Sequence, residues 1–206
     1  MTHQKNIVTA GVPLAQAKKA LIMIHGRGAS AQDIISLAGY LNVGDYALLA
    51  PQASGHTWYP YSFMAPVAQN EPGLSSAIEV INSIVDDVLK AGIPASNIYF
   101  MGFSQGACLT LEYVTRHAQP YGGVVAFTGG LIGAELNLAN YHGDFGGSPV
   151  FIGSSDPDMH VPVTRVRESE AVIKKMGADI TVKIYPGMGH TVSQDEVETA
   201  NRLVFK

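Results

Sequence analysis

The sequence predicts an α/β fold in which a mostly parallel central sheet is covered by helices on both faces. Short apolar runs recur along the 206 residues and alternate with amphipathic stretches of helical period. Most of these runs are apolar throughout, which is typical of strands buried on both faces of a parallel sheet. The regular order of strand and helix favours crossover units rather than hairpins.

The strands are predicted from the apolar runs themselves. Those expected to be buried are residues 20–24, 46–50, 98–101, 123–127 and 150–152. Residues 180–184 alternate between apolar and polar, which indicates a strand nearer the sheet edge. Residues 7–12 are expected to add an N-terminal strand.

Helix start signals lie between these runs. A serine followed three residues later by an acidic residue can cap a helix in both directions. Pro162 is expected to open a helix that Gly177 ends. The capping pairs are Ser76 with Glu79, Ser193 with Glu196 and, more weakly, Ser30 with Asp33, whose helix should run to about Leu41.

Length and composition limit the classes of function that the chain can have. The chain length fits one domain spanning residues 1–206. The net charge of −4, with no Lys/Arg run, lacks the electrostatic footprint of a nucleic-acid-binding protein. The single cysteine, Cys108, excludes an intramolecular disulfide and is expected to be a buried apolar residue. No apolar stretch reaches the length of a membrane span, and the N-terminus lacks a signal-peptide core, so a cytoplasmic enzyme is expected.

The pentapeptide GFSQG at residues 102–106 carries the strongest chemical signal. It follows the run 98–101 and leads into an apolar helical stretch that begins at Ala107. A G-x-S-x-G sequence between a strand and a helix is typical of the nucleophile elbow of α/β-hydrolases. Such a turn is too crowded for side chains at either glycine, and it raises the serine hydroxyl into a site. Ser104 is therefore the predicted nucleophile.

An activated serine needs a base and an acid that orients the base. His190 follows the 180–184 strand in a glycine-rich loop and is the predicted base. The acid should follow a strand between Ser104 and His190, which matches the order Ser, Asp/Glu, His. Asp156, after the 150–152 strand, is the predicted acid, and Asp158 is the alternative.

Two backbone N–H groups are expected to bind the oxyanion. One belongs to Gln105, directly after the nucleophile, and the other to Arg27, in the loop after the first central strand. The Arg27 side chain is interpreted as a contact for an anionic substrate group. His25, at the end of the same strand, is expected to hold the turn rather than to act as a base.

The substrate pocket is less well defined by the sequence. The aromatic loop after the 46–50 strand either lines the pocket or packs over the end of the sheet. The glycine-rich stretch 128–148 is expected to form an opposite wall or a flap. The residues predicted to line the pocket are Trp58, Tyr59, Leu131 and Met188.

Taken together, these residues resemble the small carboxylesterase/phospholipase family, which includes the acyl-protein thioesterases and is related to dienelactone hydrolases. The resemblance covers roughly residues 18–205. It implies a minimal α/β-hydrolase fold with no large cap domain, no cofactor and no metal. The motifs that carry it are HGRG at 25–28, GFSQG at 102–106, GSSD at 153–156 with VP at 161–162, and GH at 189–190.

The chain departs from the family pattern at two places. Arg27 stands where the thioesterases often have an aliphatic residue, which argues against a long-acyl substrate. The sequence separation between Asp156 and the Val161-Pro162 pair is longer than the family's usual separation between the acid and Val-Pro. Asp158 therefore stays the alternative acid. Ser104 itself argues against the dienelactone hydrolases that carry cysteine at the elbow.

The expected function is that of a serine carboxylesterase acting on small or medium carboxylic esters. Thioesterase or lysophospholipase activity on longer acyl chains is the alternative within the same chemistry. A non-catalytic binding module and a metal site formed by Asp156, Asp158 and His160 are alternatives of other classes. The expected partner is a small ester, not nucleic acid. The resemblance also allows a homodimer, which the sequence itself does not indicate.

Overall fold

Seven strands form one sheet in the computed structural model, which describes residues 2–206. They are β1 (Ile7–Gly11), β2 (Lys19–Ile24), β3 (Tyr46–Pro51), β4 (Ile98–Phe103), β5 (Gly123–Phe127), β6 (Pro149–Asp156) and β7 (Asp179–Pro186). Their order in the sheet is β1-β3-β2-β4-β5-β6-β7, and every neighbouring pair is parallel except β1 with β3. The predicted mostly parallel sheet is confirmed, with β7 at an edge as expected.

Helices cover both faces of this sheet. They are α1 (Ala31–Ser36), α2 (Val67–Asn70), α3 (Gly73–Lys90), α4 (Gln105–Arg116), α5 (Val163–Lys175) and α6 (Gln194–Leu203). Side chains of α3, α4 and α5 share one buried cluster, and those of α1 and α6 share a second. Strand β2 separates the two, since Ile22 and Ile24 enter the first cluster while Leu21 and Met23 enter the second. Fully apolar strands are thus explained by burial on both faces.

Two of the predicted capping boxes are confirmed. Ser30 accepts the N–H of Asp33, whose carboxylate accepts the N–H of Ser30, and Ser193 and Glu196 repeat this exchange at α6. The helix predicted from Ser30 is shorter than expected, because α1 ends at Ser36 and a 3₁₀ turn covers residues 37–40.

The capping box predicted at Ser76 and Glu79 is wrong. Helix α3 begins at Gly73, directly after Pro72. The N–H of Ser76 already donates to the carbonyl of Pro72, so Ser76 lies inside the first turn. Its hydroxyl instead accepts the backbone N–H of His3, 2.8 Å away. The Ser76 hydroxyl therefore binds the N-terminal segment at His3 and does not cap the helix.

Strand β6 is longer than the predicted run 150–152. It pairs with β7 over its whole length, and its last residue, Asp156, lies opposite Pro186. The connections between the strands contain no cap domain within residues 2–206. Over the same range, no helix has both the length and the hydropathy that a membrane span requires.

Candidate active site

Ser104 occupies a strained turn between β4 and α4. Its φ of 54° and ψ of −119° lie in a region that residues other than glycine rarely adopt. A Cβ on Gly102 would overlap the carbonyl of Gly106, and a Cβ on Gly106 would overlap the carbonyl of Ile24 in β2. The N–H of Ser104 donates to the carbonyl of Phe127 at 3.0 Å. The surrounding strands therefore hold the strained serine in place, as the elbow motif predicts.

The imidazole of His190 bridges Ser104 and an aspartate. Its Nε2 lies 2.8 Å from the Ser104 hydroxyl, and its Nδ1 lies 2.8 Å from Oδ2 of Asp158. An ionised carboxylate can only accept, so Nδ1 carries the proton and Nε2 is free to accept from the hydroxyl. This is the tautomer that a general base needs.

The carboxylate of Asp158 is completely buried. Its Oδ1 accepts the N–H groups of His160 and Val161 at 2.8 and 2.9 Å. Burial by itself would raise the pKa of Asp158, but the hydrogen bonds from His190, His160 and Val161 outweigh it and hold the pKa below its ordinary value. Asp158 is therefore ionised beside His190.

The structure places Asp158, not Asp156, against His190, which corrects the prediction that Asp156 is the acid. Asp156 still belongs to β6, and its carbonyl accepts the N–H of Gly187, which directly follows β7. Its side chain is exposed and makes no hydrogen bond to His190. Because β6 runs further than the apolar run 150–152, the loop that turns back toward His190 begins after Asp156.

Arg27 and Gln105, whose N–H groups are predicted to bind an oxyanion, line the same cavity as Ser104. Within residues 2–206, neither the N–H of Arg27 nor that of Gln105 donates to a protein acceptor. A Cβ on Gly26 would lie 3.5 Å from the Cβ of Ser104, which shows how closely the loop after β2 approaches the nucleophile. The N–H of Gly28 donates to the carbonyl of His56 at 2.7 Å and fixes that loop. Two backbone N–H groups at the cavity of the nucleophile that have no protein acceptor are what an oxyanion site requires.

The side chain of Gln105 holds the aromatic loop against the elbow. Its Oε1 accepts the N–H of Trp58 at 2.9 Å, and its Nε2 donates to the carbonyl of Tyr59 at 2.8 Å. Sequence reasoning assigned Gln105 a role through its backbone only. No local pattern marks these contacts, because they join residues 46 and 47 positions apart.

The Arg27 side chain is committed to the same loop. Its Nη1 donates to the carbonyl of Pro60 at 2.9 Å, and its Nη2 donates to those of Tyr59 and Tyr61 at 2.9 and 2.7 Å. Both N–H groups of Nη2 are thereby used. The guanidinium therefore fixes the loop of residues 59–61 at the rim of the site. The sequence had suggested instead that it contacts an anionic substrate group.

A cavity of about 520 Å³ opens at Ser104. Of the residues predicted to line it, Tyr59 does so. His160 also forms part of the wall, with its ring 4.8 Å from that of His190. The remaining lining includes Phe63, Phe103, Cys108 and Val161. Cys108 is buried, and burial raises the pKa of its thiol to about 12, in keeping with the apolar role expected.

Trp58 does not line this cavity, which corrects its predicted role. Its side chain is fully buried, and its indole N–H donates to the carbonyl of His25 at 2.9 Å. His25 is itself buried and accepts the N–H of Ala53 through Nε2 at 3.1 Å. Burial lowers the pKa of His25, an effect that the hydrogen bond to the carbonyl of Gly26 only partly offsets. The buried side chains of His25 and Trp58 thus hold the turn after β2 in place, which is the role expected for His25.

Leu131 and Met188 also lie outside the cavity wall. Leu131 is fully buried. Its N–H donates to Ser169 at 2.8 Å, and its carbonyl accepts from Arg165 at 3.0 Å. The start of the 128–148 stretch is therefore held in the core and is not a flap. Met188 is half-buried in the loop before His190.

The metal-site alternative is not supported by the arrangement of donors. Within residues 2–206, no three His, Cys, Asp or Glu side chains are grouped so that they could hold an ion. Asp158 of that suggested set is instead bonded to His190.

A mostly parallel sheet flanked by helices, a strained serine at the end of a central strand and a histidine bonded to that serine together define an α/β-hydrolase of the serine esterase class. Residues 5–204 match the profile of the Phospholipase/Carboxylesterase family. The chain belongs to that family.

Individual relatives agree with this assignment. The acyl-protein thioesterase 1 of Kluyveromyces lactis is 28% identical, over 98% of this chain and 97% of its own. A crystal structure of a phospholipase/carboxylesterase from Dyadobacter fermentans is 54% identical, with a TM-score of 0.99, and covers 100% of this chain and 99% of its own. The esterase PE8, 24% identical with a TM-score of 0.79 over 98% of this chain and 96% of its own, shares the fold.

Proposed function

We propose that this protein is a serine carboxylesterase that hydrolyses small or medium carboxylic esters through an acyl-enzyme. Ser104 is the nucleophile, His190 the general base and acid, and Asp158 the carboxylate that orients His190. The observation that carries the proposal is the bridging imidazole of His190, with 2.8 Å to the serine hydroxyl and 2.8 Å to the buried carboxylate. Such a chain of contacts activates an otherwise weak nucleophile.

Acylation begins when Ser104 Oγ attacks the ester carbonyl carbon and its proton passes to Nε2 of His190. The carbonyl oxygen becomes an oxyanion and accepts the N–H groups of Arg27 and Gln105, which have no competing protein acceptor within residues 2–206. Asp158 stabilises the imidazolium without taking its proton. His190 then protonates the ester oxygen of the alcohol, the carbon–oxygen bond breaks, and the alcohol leaves.

Deacylation repeats these steps with water. His190 takes a proton from a water molecule that attacks the acyl carbon, and the oxyanion forms at the same two N–H groups. The tetrahedral intermediate collapses as His190 returns the proton to Ser104 Oγ. The products are a carboxylic acid and the free enzyme.

Small or medium acyl groups are favoured by the shape of the cavity. Tyr59 lines its 520 Å³, and Arg27 holds the carbonyls of residues 59–61 along the rim. Each methylene that the cavity buries should contribute about 0.8 kcal/mol, so kcat/KM should rise with chain length until the cavity is full.

A second candidate substrate class is suggested by a relative named acyl-protein thioesterase 1. A series of acyl chains presented as both esters and thioesters separates the two candidates, because a thioesterase should prefer the long thioesters.

The test of the proposed function is the hydrolysis of p-nitrophenyl esters by the wild type, Ser104→Ala, His190→Ala and the double variant. We expect each single variant to lose about 10⁶ in kcat, and the double variant to lose little more, because the two groups act as a unit. Full activity in Ser104→Ala would refute the mechanism. Binding of esters with no turnover by the wild type would favour a binding module instead.

A further inference from the structure

A second cavity, of about 360 Å³, adjoins the first at His190. The two cavities share four lining residues, Gly26, Ala29, Phe103 and His190. Ser104 lines only the first cavity. His190 and Phe103 therefore line both compartments, whereas Ser104 lines the first alone.

The walls of the second cavity are mainly apolar. Ile34 and Leu37 contribute from α1 and the turn after it, and Val192 contributes from the loop after His190. Ile34 is buried, while Leu37 and Val192 are half-buried and so leave part of their surface to the cavity. Asp33 is its one carboxylate-bearing lining residue. The cavity suits a compact apolar group.

The chemistry of ester cleavage distinguishes the two compartments. An ester has an acyl arm and an alcohol arm that diverge at the scissile bond. The acyl arm stays on Ser104, so it must occupy the compartment that Ser104 lines. The alcohol oxygen must come within reach of Nε2 of His190, which protonates it as it leaves. Since His190 lines both cavities, an alcohol arm that diverges from the acyl arm beside His190 can enter the second cavity.

We propose that the second cavity, lined by Ile34, Leu37, Phe103 and Val192, binds the alcohol portion of the substrate and selects compact apolar alcohols. This inference rests on the proposed function and adds the class of leaving group to it. The first cavity then sets the preference for the acyl chain, and the two preferences are independent.

The carboxylate of Asp33 makes the second cavity sensitive to the charge of the alcohol. The hydroxyl and the N–H of Ser30 both donate to this carboxylate, 2.7 Å away. The side-chain bond from Ser30, followed by the backbone bond, lowers the pKa of Asp33, so the group is ionised. Its charge is exposed at the edge of the cavity and is screened by salt. An alcohol that carries a phosphate should therefore be disfavoured several-fold at low ionic strength.

The test compares two series of esters in variants that fill one cavity each. Leu37→Trp fills the second cavity, and Ser62→Trp adds the same ring to the wall of the first. The alcohol series is methyl butyrate against benzyl butyrate, and the acyl series is methyl butyrate against methyl octanoate. Labelling of Ser104 by a fluorophosphonate reports in each variant whether the site is intact.

We expect Leu37→Trp to lower the benzyl-to-methyl ratio of kcat/KM at least tenfold and to leave the octanoate-to-butyrate ratio within about twofold. Ser62→Trp should do the opposite. Val192→Trp enters the second cavity from its other wall and should reproduce the effect of Leu37→Trp. Asp33→Asn should raise the rate for a butyrate ester of a phosphate-bearing alcohol relative to benzyl butyrate.

Equal shifts of both ratios in Leu37→Trp and Val192→Trp, or no shift in either ratio, would overturn the assignment of the second cavity. Those results leave the proposed function standing as long as Ser104 is labelled and the esters are hydrolysed. A wild type that hydrolyses no ester and resists labelling would instead overturn the proposed function, and the cavity assignment with it.

Discussion

Asp158 presents a fully buried carboxylate to Nδ1 of His190, although the loop that carries it is largely exposed. Its neighbour Met159 is 86% exposed. The N–H groups of His160 and Val161 turn the carboxylate inward, so the loop is folded around one acceptor. A buried charge with three hydrogen bonds in a surface loop indicates a constraint that stability of the fold alone does not require.

Asp158→Asn should lower kcat about 10³–10⁴-fold, because an amide cannot hold His190 in the required tautomer. Asp156→Asn is the matched control, since Asp156 is exposed and makes no hydrogen bond to His190. It should retain activity within about threefold in the same ester assay. The reverse pattern would restore Asp156 as the acid.

The stability contributed by Asp158 should depend on pH. Because the pKa of Asp158 is lower in the folded chain than in the unfolded one, its contribution is present above the unfolded value of about 3.9 and is lost as pH falls through the folded value. Urea unfolding of the wild type and Asp158→Asn at pH 6 and near pH 3 measures it. The advantage of the wild type should shrink in acid, and a constant difference would show that folding does not lower the pKa of Asp158.

Substituting the elbow glycines should destabilise the fold as well as the site. Gly102→Ala and Gly106→Ala each place a Cβ against a backbone carbonyl that neighbouring elements hold. We expect a loss of about 1–3 kcal/mol in the free energy of unfolding. Gly39→Ala is the control, since a Cβ there meets no heavy atom within 4 Å. Equal stabilities of all three variants would show that the elbow is not crowded.

Gln105→Ala tests the link between the elbow and the aromatic loop. It leaves the buried N–H of Trp58 without its partner, at a cost of about 1–3 kcal/mol. It also removes one of three donors to the carbonyl of Tyr59, which keeps its bonds from Arg27 and Thr57. The loop that lines the first cavity should loosen, so KM should rise more than kcat falls. Gln32→Ala, on the exposed side of α1, should change neither quantity. Unchanged urea unfolding in Gln105→Ala would contradict this role.

Features that depend on short stretches of sequence were predictable. The apolar runs located five of the strands, β2 to β6, because burial on both faces leaves a local signature. The elbow was predictable for a similar reason, since the crowding at Gly102 and Gly106 is imposed by the turn itself. His190 followed from its place after β7, at the same edge of the sheet as Ser104.

Features that depend on distant contacts were not predictable. Asp156 and Asp158 differ by two residues, and only the pairing of β6 with β7 shows where the strand ends. The aromatic loop suggested that Trp58 lines the cavity. Its indole N–H instead donates to the carbonyl of His25, which holds the ring in the core. Backbone hydrogen bonds to Ser169 and Arg165 likewise hold Leu131 in the core, outside the cavity wall. Each partner lies more than thirty residues away in the chain.

The most direct test of the central claim is to identify the residue that carries the acyl group. Pre-steady-state reaction with p-nitrophenyl butyrate, quenched in acid and analysed by peptide mass spectrometry, should show one butyryl group on the peptide that contains Ser104. The burst of p-nitrophenol should match it in amount, and both should vanish in Ser104→Ala. A butyryl group on another residue, or turnover that persists in Ser104→Ala, would contradict the assignment of Ser104 as the nucleophile.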